Sequence, residues 1–136
     1  MAEPLSLETN PIHLGLGATA EPQPAFPRDE RAMDWYMDYA SRNEGDGFEG
    51  RLVSSYTFTE NWPMWEMHPN GAEVVICTSG RITLHQELAD GTAQTVAIGP
   101  GEYAINPPGA WHTADIDGAA SAVFITSGVG TQHRPR

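Results

Sequence analysis

The sequence predicts an all-β domain, a sandwich or small barrel of about eight strands, preceded by an arm and one short helix. Three observations lead there. After Gly50 the apolar residues recur with a period of two, the segments that carry this period are short and evenly spaced, and glycine or proline separates them. Such alternation puts every second side chain on one face, so the segments must close over a shared interior. A chain of 136 residues can bury one core without covalent staples, and it shows no internal repeat and no second domain.

Residues 1–28 carry many prolines and few periodic apolar positions. They read as an arm that crosses the surface, with disorder around residues 18–24. Residues 29–43 read as an amphipathic helix: Asp29 is a candidate N-cap, and Met33, Tyr36, Met37 and Ala40 recur at helical spacing until Gly45-Asp46-Gly47. Residues 50–128 form the barrel, with strands expected at 52–58, 73–78, 81–85, 94–98, 103–106, 111–116 and 122–126. Residues 129–136 read as a frayed, solvated tail. The alternative is a tail that folds over the barrel mouth and offers Arg134 to an anionic substrate.

Composition excludes several functions. Eighteen acidic groups against seven arginines, with no lysine, give a net charge of -11. That surface repels phosphate backbones and anionic lipid, so neither nucleic acid nor membrane is expected as a partner. Without lysine there is no Schiff-base chemistry and no internal pyridoxal phosphate site. No phosphate-cradling loop or dinucleotide fingerprint is present. Cys77 is the single cysteine, which rules out an intrachain disulfide. The opening residues lack the plan of a signal peptide and no apolar run is long enough to span a bilayer, so the expectation is a soluble cytoplasmic protein.

The chemistry gathers around Pro69-Asn70-Gly71-Ala72. Asn-Gly between strand-like segments is a strong hairpin signal, because both residues tolerate the positive φ of a primed turn. In such a hairpin His68 faces Glu73 directly, and Glu66, two positions before His68, shares that side. Burying Glu66, His68 and Glu73 together is unfavourable by several kcal/mol unless the charges are compensated. A divalent cation compensates them; without one, the two carboxylates raise each other's pKa.

These residues resemble the cupin superfamily. Its first motif is a histidine, a glutamate and a glycine, matched by His68, Glu73 and Gly80; its second is matched without a gap by Gly101, Pro107, Gly109 and His112. The resemblance spans roughly residues 50–128, and it implies a double-stranded β-helix, the jelly-roll barrel. Carried over by position, it implies His68, Glu73 and His112 as ligands of one divalent metal ion per chain, with Glu66 as a fourth ligand or as the catalytic acid or base. Iron, manganese, zinc and nickel all suit two imidazoles and added carboxylates. Three positions depart from the family pattern: Glu66 stands where many metal cupins have a first histidine, Glu60 replaces an early glycine, and Ile116 replaces an asparagine. The family also includes barrels that have lost their metal, in which Glu66 and Glu73 would be held by His68 and His112.

Other residues read more plainly. His85 is out of phase with Ile82 and Leu84 and reads as solvated; His13 and His133, in terminal segments, are weak ligand candidates; Cys77 shares the phase of Glu73 and reads as a buried, inert thiol. Met64, Tyr56, Phe58 and Tyr103 are candidates for the pocket wall, and Trp62, Trp65 and Trp111 for packing against the helix, the arm or a second subunit. The expected function is a metal-dependent enzyme acting on a small organic molecule, with oxygenase-type chemistry favoured over a metal-assisted isomerase or lyase. The competing class is a non-catalytic small-molecule binding or sensing barrel. The resemblance further implies a homodimer, with residues 1–28 supplying contact area.

Overall fold

The computed structural model describes residues 1–136. Its strands are β1 (Ile12–Gly15), β2 (Thr19–Pro22), β3 (Arg51–Phe58), β4 (Met64–Met67), β5 (Glu73–Ser79), β6 (Ile82–Glu87), β7 (Ala93–Ile98), β8 (Tyr103–Asn106), β9 (Trp111–Ile116), β10 (Ala120–Thr126) and β11 (Gln132–Pro135). One helix, α1 (Ala32–Arg42), precedes β3. The strands make two antiparallel sheets, ordered β2-β1-β3-β10-β5-β8 and β11-β4-β9-β6-β7. They face each other as a jelly-roll barrel, the fold class read from the sequence.

The period of two is visible in the burial. Val75 and Cys77 of β5, Ile82 and Leu84 of β6, and Ala120, Ala122 and Phe124 of β10 point into one core with Ile98, Ala104 and Ala114. Alanines opposite larger side chains let the sheets approach while the volume stays filled. Burying Val75, Ile82 and Leu84 contributes about 1.5–3 kcal/mol each. Gly80, between β5 and β6, has φ 73°, and a Cβ there would sit 2.1 Å from the Ala119 carbonyl oxygen. The motif needs glycine at this position for both reasons.

Several local expectations are corrected. Asn70-Gly71 does not close a hairpin: β4 and β5 lie in different sheets, and neither residue has a positive φ. The 68–72 segment instead crosses from one sheet to the other, and Gly71 is held close to Ser127, whose Cβ would lie 2.6 Å from an added Cβ. The arm is ordered through residues 18–24, because β1 and β2 extend the six-stranded sheet by pairing with β3 and with each other. Asp29 caps the turn before α1, its Oδ1 accepting the Arg31 N–H at 2.9 Å, while the helix itself starts at Ala32. Residues 132–135 are not frayed but pair with β4 as an edge strand. No helix is long and apolar enough to cross a membrane.

The helix is fixed by aromatic edges and one buried histidine. Trp35 stacks on Tyr39 and meets Phe26 edge-on at 5.0 Å. His13, buried in β1, bonds the Tyr39 hydroxyl through Nδ1 at 2.7 Å and Asp46 through Nε2 at 2.6 Å. That network ties the arm to α1 and to the turn after it. Burial pushes the Tyr39 pKa up to about 12, so its hydroxyl stays protonated.

Candidate metal centre

Each sheet supplies half of the site. In the five-stranded sheet, β4 and β9 are neighbours with Glu66 opposite His112, and His68 follows one residue beyond the end of β4. In the six-stranded sheet, Glu73 begins β5 and lies opposite Asn106 at the end of β8. Inward phase brings the two halves together across the barrel. Donor atoms of Glu66, His68 and His112 all lie within 4.8 Å of one another. Glu73 adjoins this triad: Oε2 is 3.2 Å from His68 Nε2, and Oε1 is 3.2 Å from His112 Nε2.

Hydrogen bonding fixes how the imidazoles present themselves. The Thr131 hydroxyl donates to the Gly128 carbonyl at 2.8 Å, so its oxygen must accept from His68 Nδ1, also at 2.8 Å. His112 Nδ1 faces the Ala110 carbonyl at 3.3 Å, which can only accept. A neutral ring at either position therefore turns the Nε2 lone pair into the site. Both Nε2 atoms are buried and have no hydrogen-bond partner. Two lone pairs 3.2 Å from carboxylate oxygens repel them unless a proton or a cation stands between.

The carboxylates are held differently. Glu73 is almost fully buried; Oε1 accepts from Asn106 Nδ2 at 3.0 Å and Oε2 from the Thr126 hydroxyl at 2.6 Å. Behind Asn106, Gln94 donates to Gln86 and Gln86 donates to Asn106, so a row of amides points its donors toward Glu73. Burial alone would raise the Glu73 pKa, but the His112 and His68 imidazoles outweigh it and hold the carboxyl below its ordinary range. Desolvation pulls His68 down, and the nearby Glu73 and Glu66 carboxylates raise it above its ordinary value. Glu66 is one-third exposed; its Oε2 lies 3.8 Å from His112 Nε2 and its Oε1 accepts from His133 Nε2 at 3.0 Å.

All four residues expected from the sequence thus converge, although through facing sheets and not through a hairpin. Gln86, Asn106, Thr126 and Thr131 were missed, and His133, read as a weak ligand candidate, instead bonds Glu66. Gln86 had a legible signal, being a polar residue in phase with inward Ile82 and Leu84. The other expected residues scatter. His85 stays outside, paired with Asp115 at 2.8 Å, and Cys77 is buried with its pKa raised by desolvation. Tyr56 and Phe58 pack against the core, whereas Tyr103 is exposed. Trp62 packs against the core and meets His112 edge-on at 6.3 Å, while Trp65 and Trp111 flank the Arg134 guanidinium on the outer face. Arg134 therefore lies away from the barrel mouth. The Tyr56 hydroxyl meets that of Tyr36 from α1; burial is the main cause that raises both phenols.

Comparison with known proteins agrees with this architecture. A family model described as a cupin domain matches residues 59–128. No curated protein matches the chain in sequence. Among solved structures, a recombinant oxalate oxidase in complex with glycolate is 17% identical with a TM-score of 0.56, over 68% of this chain and 50% of that one. The oxalate decarboxylase of Bacillus subtilis, described with Mn(II) centres, is 18% identical with a TM-score of 0.53, over 71% of this chain and 26% of that one. The chain spans half of the oxidase and about a quarter of the decarboxylase, and at these identities the likeness is one of fold. On the family match, which covers both motifs, the chain belongs to the cupin family.

Proposed function

We propose that the chain is a metal-dependent enzyme acting on a small organic molecule at one divalent ion held by Glu66, His68, Glu73 and His112. The observation that carries this reading is the pair of buried, unpartnered Nε2 atoms beside two carboxylates. Ligands bonded at about 2.0–2.2 Å in cis or tetrahedral positions stand roughly 3–3.5 Å apart, the spacing of Glu73 from both rings. With neutral imidazoles the two carboxylates carry charge -2, which a divalent ion balances. Such a metal would supply Lewis-acid or redox chemistry and coordination positions open to substrate. His68 and His112 hold it from one sheet and Glu73 from the other. Glu66, nearest the solvent, either completes the set or moves a proton at its Oε2.

Oxygenase-type turnover is the favoured chemistry, since two imidazoles with hard carboxylate oxygens suit a redox-active iron or manganese ion. The competing reading is a metal-free binding barrel, in which Glu66 and Glu73 are held by His68 and His112 as hydrogen-bonded pairs; the two 3.2 Å contacts of Glu73 suit this reading as well. Metal analysis, followed by a ligand screen with and without oxygen, separates them. Ligand-dependent oxygen uptake by metal-loaded protein supports the oxygenase reading, turnover without oxygen supports an isomerase or lyase, and binding without turnover supports the sensing barrel. The proposed protein is cytoplasmic and homodimeric. Exposed Leu5 and Leu16 of the arm and Met33 and Met37 of α1 are available for the contact. A monomer by light scattering removes the dimer from the proposal.

A further inference from the structure

The C-terminal segment contacts two of the four site residues and the backbone that carries them. Asn70 Nδ2 donates to the Val129 carbonyl at 2.9 Å, and Gly130, at φ 80°, packs against Pro69. β11 then pairs with β4, placing His133 opposite Glu66 and Arg134 opposite Trp65. On the outer face Arg134 lies over Trp65 and Trp111 and pairs with Glu87, while Arg136 donates to the Trp62 and Ala114 carbonyls. These contacts deliver Thr131 Oγ1 to His68 Nδ1 at 2.8 Å and His133 Nε2 to Glu66 Oε1 at 3.0 Å.

We infer that the C-terminal segment, Thr131 together with β11, is a working wall of the metal centre, with Thr131 and His133 as positioning residues for His68 and Glu66. The inference rests on the metal-centre reading above. Thr131 spends its only proton on Gly128, so it accepts from His68 Nδ1 and leaves Nε2 as the ligating atom. His133 occupies Oε1 of Glu66 and leaves Oε2 facing His112, which restricts Glu66 to ligation through one oxygen. Losing the His133 bond frees Glu66 to ligate through both oxygens and to fill a position otherwise open to substrate.

Co(II) titration of the full-length protein tests this, read by visible absorption and by competition with a chelator. Wild type, Thr131→Val, Thr131→Ser, His133→Ala and His133→Gln are compared, with folding checked by thermal melts. Thr131→Val weakens Co(II) binding by about ten- to hundredfold and Thr131→Ser restores it, the range seen when groups behind metal ligands are removed. His133→Ala shifts the Co(II) spectrum toward higher coordination number, and His133→Gln, which keeps a donor, shifts it less. Wild-type affinity and spectrum in both Thr131→Val and His133→Ala overturn this inference and leave the metal centre standing. A wild-type protein that binds no Co(II) overturns the metal centre and this inference together.

Discussion

Glu73 and Glu66 are two carboxylates of one site held in opposite ways. Glu73 sits in the interior with both oxygens bonded, to Asn106 and Thr126, and with Gln86 and Gln94 aligned behind. Glu66 stands on a short strand, one-third exposed, with its outer oxygen tied only to His133. The interior carboxylate is preorganised by neighbours that cannot move without breaking the core. The outer one is held by a segment at the chain end and can change its bonding at little expense. The difference teaches that the core fixes one carboxylate of the site, while the other depends on the edge strand at the chain end.

The largest expected effect is on the interior side. Glu73→Ala leaves the Asn106 and Thr126 donors without their acceptor and removes the carboxylate that faces both imidazoles, and removing one partner of a buried charged cluster destabilises by about 3–5 kcal/mol. Urea unfolding of metal-free protein measures it; a loss under 1 kcal/mol would mean that Glu73 is not preorganised. Thr126→Val keeps the shape and removes one bond to the carboxylate, for about 1.5–3 kcal/mol. The same unfolding experiment ranks it below Glu73→Ala.

The response to pH separates the metal-free and metal-bound forms. His68 has a raised pKa, so its contribution to metal-free stability is complete below about pH 6.5 and is lost as pH rises through the folded value. Glu73 has a depressed pKa, so its contribution is present above about pH 4.5 and is lost as pH falls through its folded value. Metal requires the neutral His68 ring, and its stabilisation therefore grows over the interval in which the metal-free form weakens. Melting temperatures with and without added metal should diverge as pH rises from 6 to 8. Parallel curves would show that no ligand imidazole is being deprotonated.

The smallest stability change, and the most informative functional one, is at Glu66. Glu66→Gln keeps the fold within about 0.5 kcal/mol, as expected for a partly exposed position. If Glu66 ligates, Glu66→Gln weakens metal binding and Glu66→His restores it with a shift toward softer divalent ions. If it moves protons, Glu66→Gln keeps the metal and loses turnover. No change in either property would place Glu66 outside the site.

Much of this was legible in the chain. Alternation marked the strands from β3 to β10, apart from β4; motif spacing picked out His68, Glu73 and His112, and strand phase added Glu66 beside His68. The pairing of β4 was not legible, because Asn70-Gly71 carries a hairpin signal yet serves a close approach to Ser127 and a contact with the tail. Local propensity gave way there to the requirement that two sheets face each other. β11 was missed because its Gln-His-Arg-Pro sequence has no apolar alternation; its docking rests on cation–π, ionic and backbone bonds. Asn106 and Thr126 could not be found from spacing, since their role exists only once β8 and β10 flank β5.

The central claim is that the two unpartnered imidazoles close on a metal ion. Metal content by mass spectrometry, on protein purified without added metal, tests it in wild type, His112→Ala and His85→Ala. His112 is buried in the site, while His85 lies on the outer face and pairs with Asp115. The account predicts about one divalent ion per chain in wild type and His85→Ala and a large loss in His112→Ala, with the metal-derived stabilisation, about 2.7 kcal/mol at a hundredfold excess over Kd, lost from that variant alone. Equal metal content in all three proteins would contradict it.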